Sequence, residues 1–479
     1  MRVLEQLEPQ GVFRFFEELC AIPHGSRNCQ AVSDWCVAFA KERGLEHCQD
    51  QAGNVILIQE ATPGYEAAEP IILQGHLDMV CAQDPDCAKD MAKEGLDLYV
   101  EGGYVRARGT TLGGDDGIAA AIALAILDDP SIPHPRLEVV LTTEEEIGML
   151  GAMALDVSPL RGRKLLNLDS EAEGVFTVSC AGGSMVRCAL PVARAAWDGA
   201  ALSVTVRGLA GGHSGTEIHK GRANACMALG RVLQAMGEET ELRLVTARGG
   251  GKDNAIPVEA SAQVVVSDGA AARQAAEQMA AALTREYAVA DPGLRVEVTA
   301  CEVSETPMDK ASTEKALCML TCLPNGIQAM SMDIPGLVQT SLNLGILDTG
   351  REELAATFCV RSSLGSQKEM LHRRLRTLMA QLGGTVSISG DYPAWEYRQD
   401  SPLRDLMTEV FWEQYGSAPQ IEAIHAGVEC GILAGKLPGL DCVSIGPNLL
   451  DIHTPRERME IASVQRVWQF VLEVLKRSK

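Results

Sequence analysis

His76 and Asp78 interrupt the otherwise apolar run IILQGHLDMV at residues 71–80. Side chains alternate faces along a strand, so the two share one face near the strand's C-terminal end. Four more polar stretches adjoin apolar, strand-like runs: RGTTLGGDDG, LTTEEEIG, LNLDSE and PNLLDIHTPRE. From these, Asp115, Glu145, Glu146, Asp169 and His453 are expected to meet His76 at one edge of a sheet. Imidazoles mixed with several carboxylates form a donor set that borderline divalent cations such as zinc accept. Taken singly, each stretch has a plainer reading. His-x-Asp matches by chance as a hydrogen-bonded surface pair. GGDDG suits a turn entering a helix, TTEEE an acidic helix N-terminus, and LDIHTP a loop with a capping histidine. Their recurrence at successive strand ends favours the metal.

The elements that must hold these residues can be read from periodicity. Strands are expected near Val55–Ile58, Ile71–Gly75, Leu137–Thr142 and Leu165–Asp169, with helices near Gly117–Leu127 and Ile147–Leu155. That alternation predicts an α/β sheet covered by helices, with polar residues at its strand ends as site candidates. From about Ala200 the pattern becomes βαββαβ, the order of a ferredoxin-like unit. A shorter echo runs from helix Ser312–Cys322 to strand Thr385–Ser389. After Asp391 the α/β character returns, including a strand at Leu440–Ile445 and a terminal helix with one apolar stripe. The expected organisation is a catalytic α/β domain of residues 1–185 and 391–479, with residues 186–390 inserted as an α+β, ferredoxin-like lid of two related halves.

Composition limits the partners. A chain of 479 residues with 46% apolar and 22% charged residues exceeds one core and suits two globular domains. A formal charge of -22 repels phosphate backbones and anionic membranes, so neither nucleic acid nor membrane is an expected partner. The opening MRVLEQLEPQGVFRFFEELC alternates charged with apolar residues, unlike a signal peptide. The run IAAAIALAIL is too short to cross a bilayer. The 15 cysteines, odd in number and mostly within apolar segments, read as free thiols in a reducing compartment. The expected location is the cytoplasm.

As a set, GHLDMV, GGDDGIA, TTEEEIGMLGA, NLDSE, GGHSG, HAGVECGIL and IGPNLLDIHTPRERM resemble the dinuclear zinc peptidases of the M20 class over essentially the whole chain. Within that class they are most like the aminoacyl-histidine (Xaa-His) dipeptidases. The resemblance implies two Zn2+ per chain, which Co2+ or Mn2+ can replace. His76 and Asp169 would hold one ion, Glu146 and His453 the other, and Asp115 would bridge them, followed by a cis peptide to Asp116. Glu145, first in the pattern Glu-Glu-x-Gly, would be the general base acting on a metal-bridging hydroxide. Asp78 would steady the imidazole of His76. His213 would assist the oxyanion, while Asn254 and Arg361 would bind the substrate's terminal carboxylate.

The implied activity is hydrolysis of unblocked dipeptides, with Xaa-His substrates of the carnosine type in view. An aminoacylase on the same scaffold, or a metal-binding homologue without catalysis, is the alternative. The resemblance also implies a homodimer. His425 and Glu429 are placed near the pocket without a role, and His219 at a helix N-terminus. His24, His47, His134 and His372 are expected at the surface.

Overall fold

The computed structural model describes residues 2–303 and 305–479. They fall into two compact units. One contains the chain up to Ser179 together with Tyr397–Ala423 and Val428–Lys479, and the other contains Cys180–Glu396 with Ile424–Gly427.

The first unit is built on an eight-stranded sheet. Its order is Glu46–Gln49, Val55–Gln59, Leu137–Thr142, Ile71–His76, Lys164–Asn167, Asp441–Ser444, Val175–Cys180 and Gln420–Ile424. The central four, from Leu137–Thr142 to Asp441–Ser444, are parallel. They are buried almost throughout, which explains why they read as continuous apolar runs. The strand Asp441–Ser444 arrives from the far end of the chain, so the tail completes the first sheet. The run IAAAIALAIL lies entirely inside helix Gly114–Asp128, and every residue of it is buried. This helix packs on Gln10–Cys20, where Val12, Phe13, Phe16 and Leu19 form the buried face. The expected helix at Ile147–Leu155 shrinks to Leu150–Ala154, because residues 144–149 form a turn in which Glu144 and Met149 are left-handed.

The second unit holds a nine-stranded antiparallel sheet made of two four-stranded βαββαβ halves, with the ninth strand, Gly326–Met330, paired on Val338–Thr349. One half runs Arg295–Ala300, Ala200–Arg207, Ala260–Val266, Leu242–Gly250 across the sheet, the ferredoxin-like spatial order. The other runs Val338–Thr349, Glu353–Ser362, Gly182–Pro191, Thr385–Tyr392, the same order mirrored. Its first strand, Gly182–Pro191, lies before the whole of the other half in sequence, so one half is inserted into its sibling. The two join where Gly249 and Gly250 pair with Leu347 and Ile346. One apolar core, from Val186 to Leu382, spans both.

Three of the four histidines expected at the surface are buried instead: His24, His134 and His372. Each finds a neutral partner. His24 Nδ1 lies 2.6 Å from the Ile22 carbonyl, His134 Nδ1 2.7 Å from the Pro135 carbonyl, and His372 Nε2 2.7 Å from Ser184 Oγ. Burial lowers the pKa of all three, keeping the imidazoles neutral inside. His47 is only partly covered.

Candidate active site

The parallel strands end level with one another. His76 pairs with Thr142, Gln74 with Asn167, and Asn167 with Ser444, so the residues just beyond these ends gather in one place. His76 is buried, and its Nδ1 donates to the Asp78 carbonyl at 2.9 Å. A carbonyl only accepts, so the proton is on Nδ1, leaving Nε2 to face Asp115 Oδ1 at 3.2 Å and Asp169 Oδ1 at 3.6 Å. The other oxygen of Asp115, Oδ2, lies 3.0 Å from His453 Nε2, which is also 3.0 Å from Glu146 Oε1. Asp115 therefore carries one imidazole on each of its oxygens. Ligand atoms of His76, Asp115 and Glu146, and separately of His76, Asp116 and Asp169, lie within 4.8 Å of one another.

Each group is held by a specific device. The peptide between Asp115 and Asp116 is cis. The main chain leading into it is held by Glu457: Oε2 accepts from the Leu112 and Gly113 N–H at 2.8 and 3.2 Å, and Oε1 from those of Gly114 and Asp115 at 2.8 and 3.5 Å. The Asp78 carboxylate stands 3.6 Å from His76 Nδ1 and also holds a neighbouring loop. It accepts from the Glu145 N–H at 2.9 Å, the Glu146 N–H at 3.3 Å and Ser26 Oγ at 2.8 Å, fixing the loop that carries both glutamates. Glu144 is turned away and accepts from the Arg27 N–H at 2.7 and 2.9 Å, which leaves Glu145 as the free acid beside Glu146. His453 and Asp451 both sit in the left-handed region, uncommon for residues other than glycine but entered by Asp and His more readily than by most. The Thr454 hydroxyl, donating to the Asp451 carbonyl at 2.7 Å, braces that turn.

A buried polar layer supports the centre from behind. Asn167 Nδ2 donates to Gln74 Oε1 at 2.6 Å, Gln74 Nε2 to Glu429 Oε2 at 2.6 Å, and the Thr142 hydroxyl to the same oxygen at 2.5 Å. Burial pushes the Glu429 carboxyl up to about 8, so it is protonated at neutral pH.

The charges show what the cluster wants. Burial works against a charged His76, yet the carboxylates of Asp169, Asp115 and Asp78 raise its pKa well above the ordinary value. Hydrogen bonds that His453 donates to the carboxylates of Asp115 and Glu146 bring it up to about 10. Burial lifts the Asp115 carboxyl, but the two imidazoles outweigh it and hold the group below the usual range. Burial raises Asp169 to about 6 and takes Glu145 and Asp116 well above their ordinary values. Acceptor atoms thus converge where positive charge is strongly favoured. Imidazole nitrogens and carboxylate oxygens gathered within 4.8 Å of one another fit divalent cations of the zinc type.

The second unit gathers the other expected residues. His213 lies on the short strand Gly212–His213, paired with Ala255–Ile256, and the Ser214 N–H donates to the Asn254 carbonyl at 2.8 Å. His213 Nδ1 accepts from the Thr216 N–H at 3.1 Å and the Gly215 N–H at 3.3 Å. Its proton is therefore on Nε2, and burial with the Arg361 charge lowers its pKa, leaving a neutral N–H donor. A methyl group placed on Gly215 would lie 2.6 Å from the His425 carbonyl oxygen, 3.0 Å from His213 Cε1 and 3.1 Å from Arg361 Nε, so these three residues meet around that glycine. Asn254 is exposed beside them, and its loop is tied down by Asn343 Nδ2, which donates to the Asp253 and Ala255 carbonyls at 3.2 and 2.9 Å. His219 is exposed on the short helical turn Ile218–Lys220.

Sequence reasoning missed Glu457, Gln74 and Asn167; it named Glu429 without a role and Asp116 only for the cis peptide. The motif PNLLDIHTPRE ends on Glu457, and Gln74 and Asn167 were visible as amides inside apolar strands.

Imidazole and carboxylate donors closing on one point beside a free glutamate put the protein in the class of metal-dependent hydrolases. Residues 72–477 match the model of Peptidase family M20/M25/M40, and the chain belongs to that family. It is 36% identical over 480 residues to the cytosol non-specific dipeptidase of Escherichia coli K12, covering 99% of both chains. It is also similar to the crystal structure of the aminoacylhistidine dipeptidase from Vibrio alginolyticus, with a TM-score of 0.94 and 34% identity over 99% of this chain and 97% of that one. The aminopeptidase PepT of Bacillus cereus shares the fold alone, with a TM-score of 0.58 at 15% identity over 98% and 99% of the two chains.

Proposed function

We propose that the protein is a metal-dependent dipeptidase, acting on unblocked dipeptides with preference for a carboxy-terminal histidine, and that it holds two zinc ions. The observation that carries this reading is Asp115, with His76 on one oxygen at 3.2 Å and His453 on the other at 3.0 Å. Asp169 would join His76 in holding the first ion, and Glu146 would join His453 in holding the second. Bound divalent cations supply an acidified water and polarise the peptide carbonyl.

The chain's own residues do the rest. Glu145 is kept in place by Asp78 through its main-chain N–H, takes the proton of the attacking water and passes it to the leaving amine. His213 presents an Nε2–H to the developing oxyanion. Arg361 and Asn254 take the terminal carboxylate, and a planar guanidinium suits both of its oxygens.

In this reading the first unit is the catalytic domain and the second a lid that supplies substrate-binding groups. The protein works in the cytoplasm as a homodimer, and light scattering that finds only monomers would remove the dimer. No helix among the described residues is long and apolar enough to cross a membrane.

The test is Glu145→Ala with dipeptide and N-acyl amino acid substrates. The variant is expected to keep its metal and lose roughly 10²–10⁴-fold in kcat on dipeptides. Undiminished hydrolysis would refute the base assignment, and activity confined to N-acyl amino acids would favour an aminoacylase.

A further inference from the structure

His425 has no part in the mechanism above, yet its surroundings are those of a recognition group. It is 6% exposed, and its Nε2 lies 2.7 Å from Ser341 Oγ. Ser341 is the residue directly across the strand pair from Arg361. The other ring nitrogen, Nδ1, is buried and has no hydrogen-bond partner among the described residues. Burial, with the charge of Arg361 close by, pulls the ring down to about 3, so it stays neutral.

A buried polar atom left unpaired is costly, and a ligand that bonds it relieves the cost. Carboxylate and side chain of one amino acid leave the same carbon, so a residue whose carboxylate sits on Arg361 carries its side chain into the shell around that arginine. Arg361 repels a cationic side chain there, and an apolar one leaves Nδ1 unsatisfied. A neutral side chain that both donates and accepts, such as imidazole, satisfies both conditions. Resting on the dipeptidase reading, we infer that His425, braced by Ser341, is the residue that selects the side chain at the substrate's carboxy terminus, favouring histidine over leucine and lysine.

The first experiment needs no variant. The metal-loaded enzyme is given Gly-His and Gly-2-thienylalanine, whose ring has similar size but no nitrogen. The expected kcat/KM for Gly-His is about ten- to a hundredfold higher, because a site built to hydrogen-bond discriminates against an analogue lacking the partner. Equal values overturn the inference. In the second, His425→Leu is expected to reduce the Gly-His to Gly-Leu ratio of kcat/KM at least tenfold. His425→Asn, which can place an amide near the position of Nδ1, is expected to restore much of it. A ratio unmoved by both variants, whether or not absolute rates fall, means that His425 is structural and overturns the inference. Failure of the wild-type protein to cleave any dipeptide strikes the dipeptidase reading itself, a separate result.

Discussion

Replacing Glu457 by glutamine tests whether the centre depends on the carboxylate that holds its main chain. Glu457 is 3% exposed and its two oxygens accept four main-chain N–H groups, the best from Leu112 and Gly114 at 2.8 Å each. Glutamine keeps one oxygen and turns an NH2 group towards the other pair of donors. One short and one longer bond are lost, and the surviving pair now faces a neutral acceptor. With about 1.5–3 kcal/mol for a hydrogen bond to a charged group, the loss comes to roughly 3 kcal/mol. In a unit of this size each kcal/mol moves the melting midpoint by about 2–4 °C, so Glu457→Gln is expected to melt about 6–12 °C lower. The same change frees the segment that aims Asp115, so the rise in midpoint produced by added zinc should shrink and fewer ions should remain after equilibrium dialysis. The assay is differential scanning fluorimetry with and without zinc, combined with metal analysis. A variant that melts with the wild type and retains its full metal complement would refute the reasoning.

Two further outcomes follow from the same geometry. His453 titrates at about 10, above its ordinary value, so near neutrality its ring is protonated and must release that proton to accept a metal ion. Zinc affinity should therefore rise by at least about tenfold per pH unit from neutrality towards that value, since His76, whose affinity for a proton is also raised, must release one too; a flat profile in chelator competition would show that the ring binds no metal. Gly75→Ala places a methyl 2.5 Å from both Asp116 Oδ2 and Ala119 Cβ, so it should cost about 1–3 kcal/mol and lower metal content, measured by melting and metal analysis. Wild-type values for both would show that the strand has room the structure denies it.

Much of the fold was legible because the parallel strands are buried on both faces and appear as unbroken apolar runs. Strand Gly182–Pro191 escaped for a physical reason. Its opening glycines look like punctuation, but they serve close approach: a methyl on Gly182 would lie 2.5 Å from the Ala394 nitrogen, and one on Gly183 2.4 Å from the Tyr392 hydroxyl. Without that strand the second half of the lid sheet looked like a shortened echo. At the site, His76, Asp115, Glu146, Asp169 and His453 could be picked out because polar residues stood at successive strand ends. Their supports were harder to see. Nothing local tells that Glu457 faces four amides more than 300 residues earlier, or that the Asp78 carboxylate holds a loop while its carbonyl holds the ring. Buried histidines such as His134 were misjudged because their partners are main-chain carbonyls, which every sequence contains.

The insertion of one half-sheet into its sibling has a consequence for how the molecule is made. Gly182–Pro191 must wait for Glu353–Ser362 and Thr385–Tyr392, and Lys164–Asn167 must wait for Asp441–Ser444, so closures nest like brackets. Such distant pairings form slowly, and a growing chain completes its inner brackets first. His453 lies beyond all of these strands, after Asp441–Ser444 and before the terminal helix Ile461–Arg477. On the proposed metal site, a nascent chain has no complete set of ligands until the stretch just before its terminal helix, Ile461–Arg477, has emerged, and a product terminated before that stretch would lack one of them.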